Sequence, residues 1–192
     1  MSICSMKFIR MFAVSRLRTV SIAFGLSLVS FSVNAEDPLL SIEGGSSYMG
    51  GFYAINQSAP AIFGEVVLEE HAIGNSAFTW SPDVVGGWID GRDIERYNAS
   101  RYTTTDHIWM LAGGLRFHYG TPSAWYKPLF FSFQPTLHSG RTQALSSSYE
   151  FTSTVGWQAQ HWVVCIRHSS NGFLHMPNRG ETMVIVGLSF RL

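Results

Sequence analysis

The sequence predicts an all-β fold, an eight-stranded antiparallel transmembrane β-barrel, on three observations: period-two alternation, a scarcity of charge, and connections that alternate between short and long. Only 14% of the 192 residues are charged while 46% are hydrophobic, against about 25% charged in an ordinary soluble domain. Thirteen Lys+Arg balance thirteen Asp+Glu, which excludes a nucleic-acid binder with its basic excess. A disordered chain, which couples low hydrophobicity to high net charge, is excluded as well. Two cysteines, Cys4 and Cys165, cannot build a disulfide scaffold or a four-ligand zinc site.

Residues 1–35 read as a secretory signal peptide. Lys7, Arg10, Arg16 and Arg18, with no acid among them, precede the apolar run Thr19 to Val33. Val33-Asn34-Ala35 then offers small residues at the −3 and −1 positions of a cleavage site. The run is shorter than the roughly 20 apolar residues of a spanning helix. The barrel domain is expected over residues 36–192, mildly acidic once those cations leave, with Cys165 free even in an oxidising compartment. The expected location is the bacterial outer membrane.

The strands follow in order. Candidates lie near 41–50, 61–71 and 76–82. Trp109, Leu111, Leu115, Phe117 and Tyr119 then alternate with Met110, Ala112, Gly114, Arg116 and His118. Leu129, Phe131, Phe133 and Leu137 alternate with Ser132, Gln134, Thr136 and His138, and Tyr149, Phe151, Val155 and Trp157 with Glu150, Thr152, Thr154 and Gly156. The run Trp162 to Ser170 is the seventh strand, and the last places Thr182, Val184, Val186, Leu188, Phe190 and Leu192 on one face. Outer-membrane barrels use strands of about 9–11 residues, and eight is the smallest even number that closes. Glu65, Glu69, Glu150, Arg116 and Arg167 fall on predicted inward faces, where a small barrel pairs them in a polar core.

The connections agree with that topology. Short turns are expected at Ile73-Gly74-Asn75, Gly120 to Lys127 and Gln158 to Gln160, and long external ones at Asp83 to Thr105, Ser139 to Ser146 and Asn171 to Gly180. A soluble barrel of lipocalin type shares the period. It accounts neither for the scarcity of charge nor for a chain that ends on so regular an amphipathic strand.

Trp162, Val164, Ile166, His168 and Ser170 project to one side of the seventh strand. Side chains two apart stand about 7 Å apart at their Cα atoms, within reach for an imidazole to act as base to a hydroxyl. By spacing alone, H-x-S describes a His and a Ser at the wet end of a strand equally well.

The wider segment adds to this. His168-Ser169-Ser170-Asn171-Gly172, followed by Pro177-Asn178-Arg179-Gly180, resembles the H-x-S-N-(A/G)-G…P-N-x-G signature of the PagL family, the outer-membrane lipid A 3-O-deacylases. The resemblance implies a barrel whose active site lies on the lipid-facing outer wall. Its activity would be that of a serine hydrolase that removes the ester-linked acyl chain at position 3 of lipid A. Lipopolysaccharide is then the substrate, with no cofactor, no metal and no nucleic acid, and a homodimer is compatible with it. Carried over, His168 is the general base and Ser170 the nucleophile. Asn171 and Asn178 orient the loop and stabilise the oxyanion, with a backbone N–H near Gly172 or Gly180 as a further donor. Turn chemistry accounts for the two glycines equally well.

The departure is in the third member. The family pattern places an acid two residues after the loop glycine, where this chain has Thr182, and Glu181 comes one residue early. Either a bulge near Gly180 turns Glu181 outward to complete a triad, or Thr182 holds His168 by an uncharged hydrogen bond, or the site is degenerate. The alternative function is accordingly a catalytically degenerate outer-membrane barrel with a structural or surface-contact role. Arg92, Arg96 and Arg101 in the longest external connection suit lipid A phosphates, but Asp90, Asp93 and Glu95 interleave with them as in a solvated loop. His71, His107, His118, His138, His161 and His175 have no spacing that puts three ligands on one face, so no metal site is expected.

Overall fold

A computed structural model of the chain describes residues 37–49, 58–90, 105, 107–141, 144–174 and 179–192. The signal segment, Arg92, Arg96, Arg101, His175 and Asn178 lie outside the described residues. The strands are β1 (Leu39–Met49), β2 (Ser58–Val67), β3 (His71–Ala72), β4 (Phe78–Asp90), β5 (His107–Tyr119), β6 (Leu129–His138), β7 (Tyr149–Gln158), β8 (Trp162–Ser170) and β9 (Glu181–Arg191). The two-residue β3 only extends the edge of β4. Each of the other eight pairs antiparallel with two neighbours, and the β2–β4 and β1–β9 ladders close them into an eight-stranded barrel.

The register sets the slope of the wall. From Ser170 the register runs through Phe151, Pro135, Gly113, Val84, Val66, Leu40 and Phe190, the step from Pro135 to Gly113 following the offset of Ala112↔Thr136 and Leu115↔Phe133. The β8–β9 register, continued two residues beyond Trp162↔Leu188, then returns the circuit to position 160, just before β8. One turn around the barrel thus descends from residue 170 to residue 160, a shear of ten residues, and it is this stagger that tilts the strands. Rows of side chains therefore slope from the end bearing the long connections, the loop end, toward the turn end.

Alternation puts the polar side chains inside. Glu43, Glu65, Asp83, Arg116 and Arg167 are all buried in the lumen. Arg116 Nη2 lies 2.7 Å from Glu65 Oε2 and its Nε 3.2 Å from Asp83 Oδ2. Arg167 Nη1 is 3.0 Å from Glu43 Oε2 and Nη2 3.1 Å from Glu65 Oε1, so Glu65 joins both cations. Around this layer Thr136, Thr152 and Ser169 form a chain of hydroxyl bonds of 2.6 and 2.7 Å. The outward face is apolar: Ile42, Trp109, Leu137, Val186 and Leu188 are each about 60% exposed. Val184, Val186 and Leu188 point out. Aromatic side chains gather at the turn end, where Phe78 meets Tyr119 at 4.7 Å and Trp125 meets Trp157 at 6.5 Å between ring centroids.

Two expectations are corrected. The long connection expected from Asp83 begins only after Asp90, because β4 continues through Pro82-Asp83 and Gly86-Gly87. Asp83 is drawn inside by Arg116, and a Cβ at Gly87 would lie 2.0 Å from the Phe63 ring, so the glycine makes room for a large lumenal side chain. Strand β2 ends at Val67, which leaves Glu69 half-buried in the connection to β3 and outside the inner core.

Candidate functional site

Arg167 and Ser169 of β8 turn into the lumen, and His168 and Ser170 emerge on the outer wall near the loop end. His168 is flanked in register by Ser153 of β7 and Thr182 of β9, and Ser170 by Phe151 of β7. His168 Nδ1 lies 2.9 Å from Thr182 Oγ1. With Nδ1–H donating to that hydroxyl, the Nε2 lone pair is left as acceptor, the form a general base needs. Among the described residues no hydrogen bond yet joins Ser170 to the ring. The two share a face about 7 Å apart at Cα, and such contacts often close only when substrate is bound.

Gly180 fixes the opposite edge of the imidazole. Its φ is +66°, and a Cβ there would lie 2.7 Å from His168 Cε1 and 3.0 Å from Nε2. Only glycine satisfies both the left-handed backbone and the close approach.

Glu181 acts on His168 through its charge alone and not from the same face of the wall. The expected bulge is absent: the ladder to β8 runs uninterrupted through His168↔Thr182 and Ser169↔Glu181. Parity therefore turns Glu181 into the lumen, where it is fully buried and accepts a 2.6 Å hydrogen bond from Ser47 Oγ. Thr182 occupies the orienting place in its stead.

Asn171 is likewise buried, its Nδ2 donating to Ser146 Oγ at 3.3 Å, so it braces the loop from inside and does not stand on the outer wall where an oxyanion would form. Gly172 and Phe173, with φ of +63° and +66°, are the central pair of a tight turn closed by Leu174 N–H to Asn171 O at 3.2 Å. Both values above zero mark a type I′ turn. Phe173, a non-glycine in the left-handed region, costs about 1–2 kcal/mol there. The Gly180 N–H is spent on Ala144 O at 3.2 Å, whereas the Gly172 N–H makes no hydrogen bond among the described residues. It is a backbone donor two residues from Ser170.

Reasoning from sequence missed the segment Ala144–Ser147. It is buried in the barrel mouth and receives Gly180 through Ala144, Asn171 through Ser146, and holds Glu150 through Ser147 at 2.8 Å. Its only signal was a run of small residues after an apolar Leu145. Among the described residues no group of three or more His, Cys, Asp or Glu side chains is placed to hold a metal ion. No family model, curated protein or solved structure matches the chain.

Proposed function

We propose that the chain is an outer-membrane serine esterase that hydrolyses the 3-position acyl ester of lipid A. The observation that carries this reading is a His and a Ser on the apolar outer wall of a barrel, with the imidazole held by Thr182. An exterior of this kind suits a bilayer, as does the aromatic gathering at the turn end. A hydrolytic pair on such a wall meets lipid and little else. The position of Ser170 at the end of β8 matches the depth of an acyl ester just below a glycolipid headgroup, and the resemblance of residues 168–180 to the PagL signature points to the same ester.

Ser170 Oγ attacks the ester carbonyl while His168 Nε2 takes its proton. The Gly172 N–H is available to the oxyanion. The imidazolium then protonates the departing sugar oxygen, leaving an acyl-Ser170 ester. Water, deprotonated by His168, releases the fatty acid and restores the serine. Thr182 orients the ring but carries no charge to stabilise the imidazolium, so turnover should be slower than with a carboxylate in its place.

The test is release of 3-hydroxy fatty acid from lipopolysaccharide by the refolded barrel, read by mass spectrometry. The parent should release it and Ser170→Ala should not. Absence of release from both the folded parent and Thr182→Glu would replace this reading with a non-enzymatic surface barrel, which the uncharged Thr182 favours.

A further inference from the structure

Ala144–Ser147 enters the barrel mouth from the connection between β6 and β7, yet its polar groups serve the connection between β8 and β9. Ala144 and Leu145 are fully buried, and Ser146 and Ser147 nearly so. Two acceptors of this segment face two donors of the other connection. Ala144 O takes the Gly180 N–H at 3.2 Å, and Ser146 Oγ takes Asn171 Nδ2 at 3.3 Å. These donors stand at the two ends of residues 171–180, and each adjoins one member of the candidate pair. Asn171 follows Ser170 in the chain, and Gly180 lies so near the imidazole that a Cβ would come 2.7 Å from His168 Cε1. The segment is itself fixed elsewhere. Leu145 joins the apolar layer at the loop end of the lumen, with Ile89, Ile108, Met110 and Met183, and Ser147 Oγ donates to Glu150 Oε1 at 2.8 Å.

We infer that Ala144–Ser147 is a positioning element of the site, a strap whose anchor Leu145 sets the place of His168 and Ser170 through Gly180 and Asn171. The inference rests on the proposed esterase reading and adds what holds the pair from inside the wall. Thr182 holds one ring nitrogen of His168 and Gly180 limits the opposite edge, so the ring keeps its place only while Gly180 keeps its own. Gly180 stands one residue before β9, outside the β8–β9 ladder, and its bond to Ala144 O ties it to the strap. A buried segment must find partners for its backbone polar groups. Here the Ala144 carbonyl finds one in Gly180, and the Ser146 hydroxyl adds a second tie at Asn171. Leu145 lies between these two acceptors in the chain, so lifting its side chain from the apolar layer would withdraw both at once. No strap residue stands on the outer wall beside the pair. The strap acts through the residues it holds.

The experiment truncates the anchor in the full-length refolded barrel and reads hydrolysis of p-nitrophenyl butyrate. Leu145→Ala should lower kcat at least about tenfold with KM within about twofold, the pattern of a misplaced catalytic group and not of lost binding. Leu145→Met should restore kcat to within about twofold of the parent. Ile89→Ala removes a side chain of like size from the same layer, on β4, which lies opposite β8 in the ring. It should leave kcat within about twofold of the parent. In a Gly180→Ala background, where the ring is already displaced, Leu145→Ala should cost less than about threefold more, because both act on one imidazole. Parent kcat in folded Leu145→Ala, equal losses in Leu145→Ala and Ile89→Ala, or full additivity with Gly180→Ala would overturn the inference while leaving the esterase reading standing. If Leu145→Ala does not refold, Ser146→Ala removes only the hydroxyl that Asn171 meets. It should lower kcat at least about threefold, and parent kcat there would overturn the inference. A second readout needs no turnover: the nitrogen-15 spectrum of the histidine rings, with His168 assigned by its loss in His168→Ala. The Nδ1–H donated to Thr182 should give a resolved signal in the parent and in Ile89→Ala, and a broadened or absent one in Leu145→Ala. An unchanged signal in Leu145→Ala would overturn the strap. Loss of that signal in a barrel whose parent cleaves no ester would keep the strap and refute the esterase.

Discussion

On β8 the inward Arg167 reaches two carboxylates and the inward Ser169 hydrogen-bonds Thr152, whereas the outward His168 is held by one bond to Thr182 and the outward Ser170 has none among the described residues. Both pairs belong to the same nine-residue strand. Inside, the two arginines are each paired with carboxylates, because an unpaired buried charge costs free energy, and Glu43, Glu65, Asp83, Arg116 and Arg167 form one network in the lumen. Outside, a polar group against an apolar belt brings no stability of its own and is a functional hypothesis by default. The comparison separates residues that hold the barrel from those to which the esterase proposal assigns chemistry.

The largest expected effect sets the two adjacent serines against each other. Ser170→Ala should abolish ester hydrolysis with no change in folding. Ser169→Ala should keep most of the turnover while losing about 1 kcal/mol of stability through its bond to Thr152; fatty-acid release and urea titration read the two. Gly180→Ala comes next, because its Cβ must displace the imidazole. A drop of about 100-fold in kcat is expected from a misplaced base, with far-ultraviolet circular dichroism unchanged. Thr182→Glu should act in the opposite direction and raise kcat about tenfold or more, since a carboxylate stabilises the imidazolium that forms during attack.

Changes inside the lumen should move stability instead. Arg167→Met leaves Glu43 and Glu65 short of a cation, and loss of one partner from a buried network costs about 3–5 kcal/mol. The folded fraction, measured by heat-modifiable mobility, should still turn over within a few-fold of the parent. Glu181→Gln should be the smallest of all: the amide oxygen still accepts from Ser47, and hydrolysis should be unchanged. A large fall in kcat for Glu181→Gln would return that carboxylate to the site and break the division between the two faces.

How much of this was legible in the sequence depended on whether local pattern or tertiary contact decides the outcome. Strands β5 to β9 were readable because one apolar and one polar face force a period of two, and a slip of one residue would turn Arg116 or Arg167 to the apolar outer face. The same parity already put Glu181 opposite Val184 and Val186, and the uninterrupted ladder keeps it there. The second half of β4 was not readable, since Pro82 and the Gly86-Gly87 pair carry the chemistry of a turn. Only the Phe63 ring behind Gly87 and the Arg116 partner of Asp83 explain why the strand continues. The burial of Asn171, named as a loop-orienting residue, and the role of the Ala144–Ser147 segment escaped for a related reason, because burial of a loop in a barrel mouth leaves no periodic trace.

The account's central claim is that Ser170 on the outer wall is the nucleophile. Labelling the refolded barrel with a fluorophosphonate and mapping the adduct by mass spectrometry tests it most directly, since only a serine activated by a neighbouring base reacts readily with such a reagent. The account predicts one adduct, on Ser170, lost in His168→Ala and retained in Ser169→Ala. An adduct on Ser169 or another serine, or no adduct on a fully folded barrel, would contradict it.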